Sequence, residues 1–526
     1  MISLIIERAT IFNGIDLAPF ETDVALVADR VVLIGDLSER EALERVDGRG
    51  LTLAPGFIDV HSHSDELWLA DGRCEGKIRQ GVTTEIAGNC GTSVAPLRGL
   101  AAQRKAEDAR AVGLELAWWD LAEFFALVEN AGVALNVATL VGLGTVRRCI
   151  RGDRAGPLDD DELRMQAALV RETVEQGALG VSSGLIYVPS RYADRSELIA
   201  CASAARDAGM PRYVSHLRSE SDELLAAVDE ALEVARAADV AVQFSHHKSA
   251  GKKNWGKVHR SLGAIAKARS QGLVAYADVY PYVAMWTDLD TILPDAIMDG
   301  GREETLARLR DPQTAAALAL RLQFEREGEW HDIQISTVAS ERNASLAGIR
   351  LDDIASLWRL SPARAALRLL LEEELQVGAI FFAMNEDDVA AVLSADFVSI
   401  GSDASARALV GPTAQGVPHP RTFGCFPRVF GRYVRGRRTL EIGEAIRRMT
   451  SLPADQFGLA GRGRIEIGAF ADLVLFDAER IVDTATYEQP YSYPLGIDSV
   501  WVNGQAVVRH GETTRARPGR ALRGGR

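Results

Sequence analysis

Between about residue 55 and residue 460, short apolar runs alternate with long helical stretches, and this alternation leaves few folds open to the chain. The runs LNVATLVG, ALGVSSG, PRYVSH, VAVQFSH, LVAYADVY and DFVSIGSD are apolar almost throughout, as strands covered on both faces must be. Between them lie stretches such as DELLAAVDEALEVARAA, with apolar residues at helical spacing and Glu and Asp on the other face. Such alternation predicts a parallel sheet, most economically a closed (β/α)8 barrel of the TIM type, an α/β fold whose chemistry gathers at the C-terminal strand ends. Those ends are polar here: His61, His63, Cys90, His216, His246 and Asp403.

The two flanks have a different texture. SLIIERATIF, TDVALVA and RVVLIGD near the start, and ADLVLFD and SVWVNGQAVV near the end, read as short strands, with Asn503-Gly504 a strong hairpin signal. They predict a small β domain built from residues 1–54 and 463–526 around a catalytic barrel over 55–462. The charged helical text from about 286 to 350 breaks the barrel rhythm and is expected to be an insertion or lid over the barrel mouth. A chain of 526 residues with 47% hydrophobic content can fill cores of this size.

Charge and cysteine usage narrow the partners. Lys plus Arg number 59 against 73 for Asp plus Glu, a net charge of −14 that repels phosphate backbones, so nucleic acid is excluded as a partner. Cys74, Cys90, Cys149, Cys201 and Cys425 are scattered without CxxC spacing, which argues against a disulfide framework and a zinc ribbon and makes the cytoplasm the expected compartment. The opening MISLIIERATIFNG has no basic leader region, and its apolar run breaks at Glu7 and Arg8. No apolar stretch reaches about 18 residues, so no membrane span is expected. The oligomeric state is not legible.

GFIDVHSHSD places His61 and His63 two apart after an apolar strand, a spacing that puts both imidazoles on one face and suits a divalent metal. Cys90 sits between Asn89 and Gly91 after GVTTEIA, in a turn that can aim its thiol into a site. Taken alone, a lone cysteine is more often inert and buried. His216 closes RYVSH and His246 closes VAVQFSH; with Cys90 they make a three-ligand set that leaves zinc an open position for water. His247 competes with His246, but residues 240, 242, 244 and 246 share one strand face. Asp403 in VSIGSDAS is a metal ligand, a helix cap or a proton-handling group, and with ligands on the earlier strand ends the last reading is preferred.

These motifs, in order APGFIDVHSHSD, QGVTTEIAGNCGTSVAP, GALGVSSGLIYVP, VSHLRSES, FSHHKSAGKKNWGK, ADVYPY, IGSDAS, HPRTFGCFPRVFGRYVR, MTSLPADQFGL and RGRIEIGAFADLVLFD, span almost the whole chain. The sequence thereby resembles the amidohydrolase superfamily and, within it, the N-acyl-D-amino-acid deacylases or D-aminoacylases. The resemblance implies a metal-dependent barrel flanked by a small β-sandwich made from both chain ends. It implies one tightly bound Zn2+ at Cys90, His216 and His246, and a second, weaker divalent-metal site at His61 and His63. Many amidohydrolases bridge two metals with a carboxylated lysine on the fourth strand; ALGVSSGLIY has none, and Cys90 takes the bridging or anchoring role in this branch. Met285-Trp286 and Ala404 depart from the family's small residues and glycine.

The implied reaction is zinc-dependent hydrolysis of an N-acyl-D-amino acid to a carboxylate and a free D-amino acid, with Asp403 moving the proton. Lys248, Tyr282 and Arg421 are the implied holders of the substrate α-carboxylate, with Tyr187 and Trp286 as further substrate-binding residues. Read without the family, Lys248 and Arg421 are surface charges. VAMWTDLD carries no Arg or Lys, so a neutral or hydrophobic D-side chain is expected. The rivals are a metal-dependent dipeptidase for dipeptides with a C-terminal D-residue, a cyclic amidase disfavoured by the missing lysine, and an inactive barrel disfavoured by the complete ligand set.

Overall fold

A computed structural model of the chain describes residues 1–525. Parallel strands follow one another as Phe57–Asp59, Val82–Ala87, Asn136–Thr139, Val181–Gly184, Arg212–His216, Ala241–Phe244, Ala275–Val279 and Val398–Ile400. The third is kinked at Leu140, so that Val141–Gly142 continues the pairing onto the fourth. Gly184 pairs with His216, which brings the fourth and fifth strands level at the end that carries the polar residues. All six residues of Val82–Ala87 are buried, as a strand with core on one face and helices on the other requires.

The outer helices follow from their sequence spacing. Leu224–Ala238 buries Leu224, Ala227, Val228, Ala231, Leu232 and Ala235, three and four residues apart, against the barrel. Asp160–Glu175 begins with a capping box, in which Asp159 accepts from the Glu162 backbone and Glu162 answers the Asp159 backbone.

A nine-stranded mixed sheet combines strands from both ends of the chain, with Thr52–Pro55 paired antiparallel to Leu473–Phe476. The hairpin of Ile497–Val502 and Gln505–Arg509 turns at Asn503 (φ 46°) and Gly504 (φ 78°), the pair of positive φ angles that a two-residue turn demands. A side chain at Gly504 would collide with the Ala28 carbonyl. The terminal segment runs back under the barrel, where Gly519 and Leu522 donate to the carbonyls of Val133 and Val137.

The segment that breaks the barrel rhythm forms a body with its own core, including Leu289, Leu322, Trp330, Ile335, Leu351 and Leu369. It extends past residue 350 to Phe381, because Val377–Phe381 is the middle strand of an antiparallel sheet with Met285–Asp288 and Ile333–Val338. That apolar strand is indistinguishable in sequence from a barrel strand. Among the described residues no helix is long and apolar enough to cross a membrane.

Candidate active site

The strand ends deliver their side chains to one place. Cys90 lies in the turn after the second strand, His216 ends the fifth, His246 and Asp403 follow the sixth and eighth, and Asp278 lies in the seventh. Cys90 (φ 52°), His246 (φ 33°) and Asp403 (φ 50°) all take the left-handed backbone region, uncommon for residues other than glycine. Strain of this kind persists where surrounding structure over-determines it, and it clusters at functional sites.

Ligand atoms of His61, Cys90, His246 and Asp403 converge within 4.8 Å of one another, as do those of His216, Glu220 and His246. The Cys90 Sγ lies 3.3 Å from His61 Nε2 and 3.4 Å from His246 Nε2, and His246 Nε2 lies 2.9 Å from His216 Nδ1. Each of two rings is turned by a carboxylate on its other nitrogen: Asp278 Oδ1 stands 3.0 Å from His61 Nδ1, and Glu220 Oε1 stands 2.9 Å from His246 Nδ1. Carboxylates in that position orient metal-binding imidazoles and raise their basicity. Burial alone raises the Cys90 pKa, yet His61, His246 and His216 overcome it and hold the thiol well below its ordinary value, in the thiolate form that binds metal. One thiolate among converging imidazoles is donor chemistry suited to zinc.

Asp403 stands at the edge of this cluster. Its Oδ1 is 3.1 Å from His63 Nε2 and 3.5 Å from His61 Nε2, and its Oδ2 is 2.8 Å from Arg421 Nη2. Burial pushes its carboxyl up, but Arg421, His246, His63 and His61 together hold it well below the usual carboxylate range, so it is ionised. His63 thus meets Asp403 rather than joining the convergent set, and it is the more open imidazole, with a side chain 29% exposed.

Lys248 and Arg421 are not surface charges; both are buried. Lys248 Nζ is bonded to Glu220 and lies 2.8 Å from His246 Nδ1. Arg421 is 1% exposed, and while Nη2 bonds Asp403, its Nε and Nη1 have no partner among the described residues. The Tyr187 ring stands edge-on to His216 at 5.1 Å, and its hydroxyl lies 2.9 Å from Thr287 Oγ1 on the inserted body. Trp286 lies under the Arg421 guanidinium at 5.8 Å and accepts a 3.4 Å bond from it at its carbonyl.

Tyr282 is not brought to this cluster. Its ring packs against His419 and beneath Arg428, and its hydroxyl reaches the Pro420 carbonyl. Tyr280 takes the place instead, its ring 4.4 Å from the Arg421 guanidinium carbon and 5.8 Å from Lys248 Nζ. Of the two adjacent histidines, His246 is the one that lies in the cluster. His247 turns away to Ser261 at 2.7 Å, and burial, with Lys248 nearby, pushes its pKa down to about 4. Sequence reasoning passed over Glu220 and Asp278, although Glu220 stands four residues after His216 and Asp278 lies in a strand that ends at the same barrel rim.

Comparison with known proteins bears on what this arrangement is for. Residues 44–508 match the Amidohydrolase family. The N-acyl-D-glutamate deacylase of Alcaligenes xylosoxydans xylosoxydans is 36% identical over 99% of this chain and 96% of its own length. The D-aminoacylase of the same organism is 34% identical over 99% and 97%. A crystal structure of the Bordetella bronchiseptica N-acyl-D-glutamate deacylase, complexed with zinc and a phosphonate mimic of the tetrahedral intermediate, superposes with a TM-score of 0.85 at 32% identity, covering 99% of each chain. A D-hydantoinase at 14% identity and a TM-score of 0.54 shares the fold alone. With full-length relatives on one side and a buried cysteine among converging histidines on the other, the chain belongs to the amidohydrolase family, in the branch of the D-aminoacylases and N-acyl-D-amino-acid deacylases.

Proposed function

We propose that this chain is a zinc-dependent N-acyl-D-amino-acid deacylase, which splits the amide of its substrate into a carboxylate and a free D-amino acid. Arg421 is the observation that carries the reading. A buried guanidinium donor left unpaired is costly, and Arg421 has two beside the ionised Asp403. A substrate carboxylate bonded to either of these donors, charge-assisted, stands next to the proton-handling group.

Cys90, His216 and His246 would hold the tight zinc, and His61 with His63 the second, weaker divalent metal. Zinc bound there supplies Lewis acidity, acidifying water and polarising the acyl oxygen. Asp403 takes the proton from the attacking water and returns it to the departing nitrogen, a role worth roughly 10²- to 10⁴-fold in rate. Arg421 is the direct carboxylate clamp. Lys248 adds positive potential behind it, its charge shared with Glu220, and Tyr280 supports the guanidinium from below. Tyr187 and Trp286 line the space between barrel and inserted body.

A neutral or hydrophobic D-side chain is the preferred reading, since residues 283–290 carry no cation of their own to answer a second carboxylate, although the Arg407 guanidinium stands 5.3 Å from the Trp286 ring. A second reading is a dipeptidase for L-Xaa-D-Xaa substrates, which would need an acidic group for the free ammonium. The five cysteines are all unpaired, which supports the cytoplasm as the working compartment.

Zinc-loaded protein incubated with N-acetyl and N-formyl D- and L-amino acids and with L-Xaa-D-Xaa dipeptides, scored for free amine, tests the reading. Release from acyl-D-amino acids and not from their L-enantiomers supports it. Release from the dipeptides alone transfers the assignment to the second reading, and no release from any of them overturns both.

A further inference from the structure

The barrel closes between its first and last strands, and there the backbone does little. Among the described residues no ladder joins Phe57–Asp59 to Val398–Ile400, and one isolated bridge, Ser62 to Ala404, spans the seam. Two hydrogen bonds accompany it, from the Asp403 amide to the His61 carbonyl at 2.8 Å and from the His63 amide to the Ala404 carbonyl at 3.2 Å. The residues on either side are His61, His63 and Asp403 themselves.

Lys77 fills the seam. Its side chain, from the short helix Glu75–Ile78, is fully buried, and its Nζ lies 2.7 Å from Asp59 Oδ2, 2.9 Å from Glu85 Oε1, 2.8 Å from Ser402 Oγ and 2.9 Å from the Ala404 carbonyl. Asp59 Oδ1 in turn accepts from the Ser402 amide at 2.8 Å and the His61 amide at 3.3 Å. Ser402 Oγ donates to Asp59 Oδ2 and accepts from the Ala404 amide. Both neighbours of Asp403 in the chain are therefore tied to one ammonium, and Asp403 between them holds a left-handed φ of 50°.

Burying a lysine with two carboxylates is poor value as a source of stability, since well-packed apolar side chains do as well or better. What the ammonium supplies is geometry: its donors converge on acceptors from three separate segments, and an apolar side chain cannot direct any of them. We propose that Lys77 is a positioning residue for the reaction, closing the barrel seam and fixing the backbone on both sides of Asp403, so that the carboxylate stands correctly against the His61 and Cys90 cluster. The inference rests on the proton-transfer role given above to Asp403. Lys77 acts through Ser402 and Ala404 and touches no reacting atom.

The test uses zinc-loaded Lys77→Met, Ser402→Ala and Asp403→Asn enzymes, and each of the first two combined with the third. A misplacement of about 1 Å costs about 10²-fold in rate, so Lys77→Met and Ser402→Ala are expected to lower kcat by about that factor with KM and zinc content unchanged. In the Asp403→Asn background neither should lower kcat further, because the group they position is already disabled. Should Lys77→Met fail to fold, Ser402→Ala carries the test, as it leaves all three buried charges in place. The proposal is overturned if both substitutions depress thermal stability but leave kcat intact, if their losses follow zinc content, or if they multiply with the loss from Asp403→Asn. Full activity in Asp403→Asn itself would remove the proton-transfer reading and this proposal with it.

Discussion

Replacing Arg421 by lysine isolates the carboxylate clamp. The guanidinium meets Asp403 through Nη2 and leaves Nε and Nη1 as further donors in fixed directions, whereas a lysine ammonium keeps the charge on a single nitrogen and cannot hold Asp403 and offer those donors as well. If the ammonium stays with Asp403, the substrate loses charge-assisted hydrogen bonds that are each worth about 1.5–3 kcal/mol. Part of that is recovered from the retained charge, so a net loss of about one such bond is expected. At about 1.4 kcal/mol per tenfold, kcat/KM should fall roughly 10- to 150-fold. The assay compares an N-acetyl-D-amino acid with its carboxamide in parent and Arg421→Lys enzymes. The parent should prefer the free acid strongly, the variant should lose most of that preference, and the carboxamide should be almost unaffected by the substitution. The D-over-L preference should narrow too, since a loosely held carboxylate lets the substrate turn about its acyl carbon. Equal losses on acid and carboxamide would show that the substitution damages Asp403 rather than a clamp, and a parent that accepts both equally would show that no clamp exists.

Cys90→Ala and His216→Ala should lose the tightly bound zinc and nearly all activity, while His61→Ala keeps about one metal per chain, as read by metal analysis of the purified variants; full zinc retention in Cys90→Ala would remove the thiolate from the site. Asp403→Asn should fold and retain zinc yet lose roughly 10²- to 10⁴-fold in kcat, and a loss below about tenfold would contradict proton transfer. Glu220→Gln should weaken zinc binding roughly 10- to 100-fold in a chelator competition, because the His246 ring loses the carboxylate that turns it. Tyr280→Leu should raise KM by withdrawing the ring under Arg421, whose cation–π contact is worth about 0.5–2 kcal/mol, whereas Tyr282→Phe, giving up only a 3.4 Å bond to Pro420, should leave KM unchanged.

The residues legible in the sequence are those that end strands. His61, Cys90, His216, His246 and Asp403 each follow an apolar run, and a barrel turns the ends of such runs into one rim, so strand order alone predicts that they meet. The residues that escaped depend on contacts no local pattern encodes. Glu220 lies outside any strand, and its value comes from His246 and Lys248, which belong to the next strand end. Tyr280 and Tyr282 flank Pro281 symmetrically in the sequence, and only the path of the chain after Val279 decides which ring reaches Arg421. The extent of the inserted body was hidden for a related reason: Val377–Phe381 has the composition of a barrel strand, but its partners are the antiparallel strands outside the barrel.

The sheet shared by the two chain ends also has a bearing on how the protein is made. The strand Thr52–Pro55 emerges early from the ribosome, but its partner Leu473–Phe476 lies near the other end of the chain. At about 5–20 residues per second, the roughly four hundred intervening residues take on the order of 20–80 s to synthesise. Through that interval the early strands present an unpaired edge, the feature that invites pairing with a neighbouring chain. Truncation from the C-terminus would make the delay permanent, so fragments carrying an intact barrel sequence should still aggregate. A circular permutant that joins the two ends and opens an exposed barrel loop would let both halves of the sheet be translated together, and should raise the soluble yield at high expression rates.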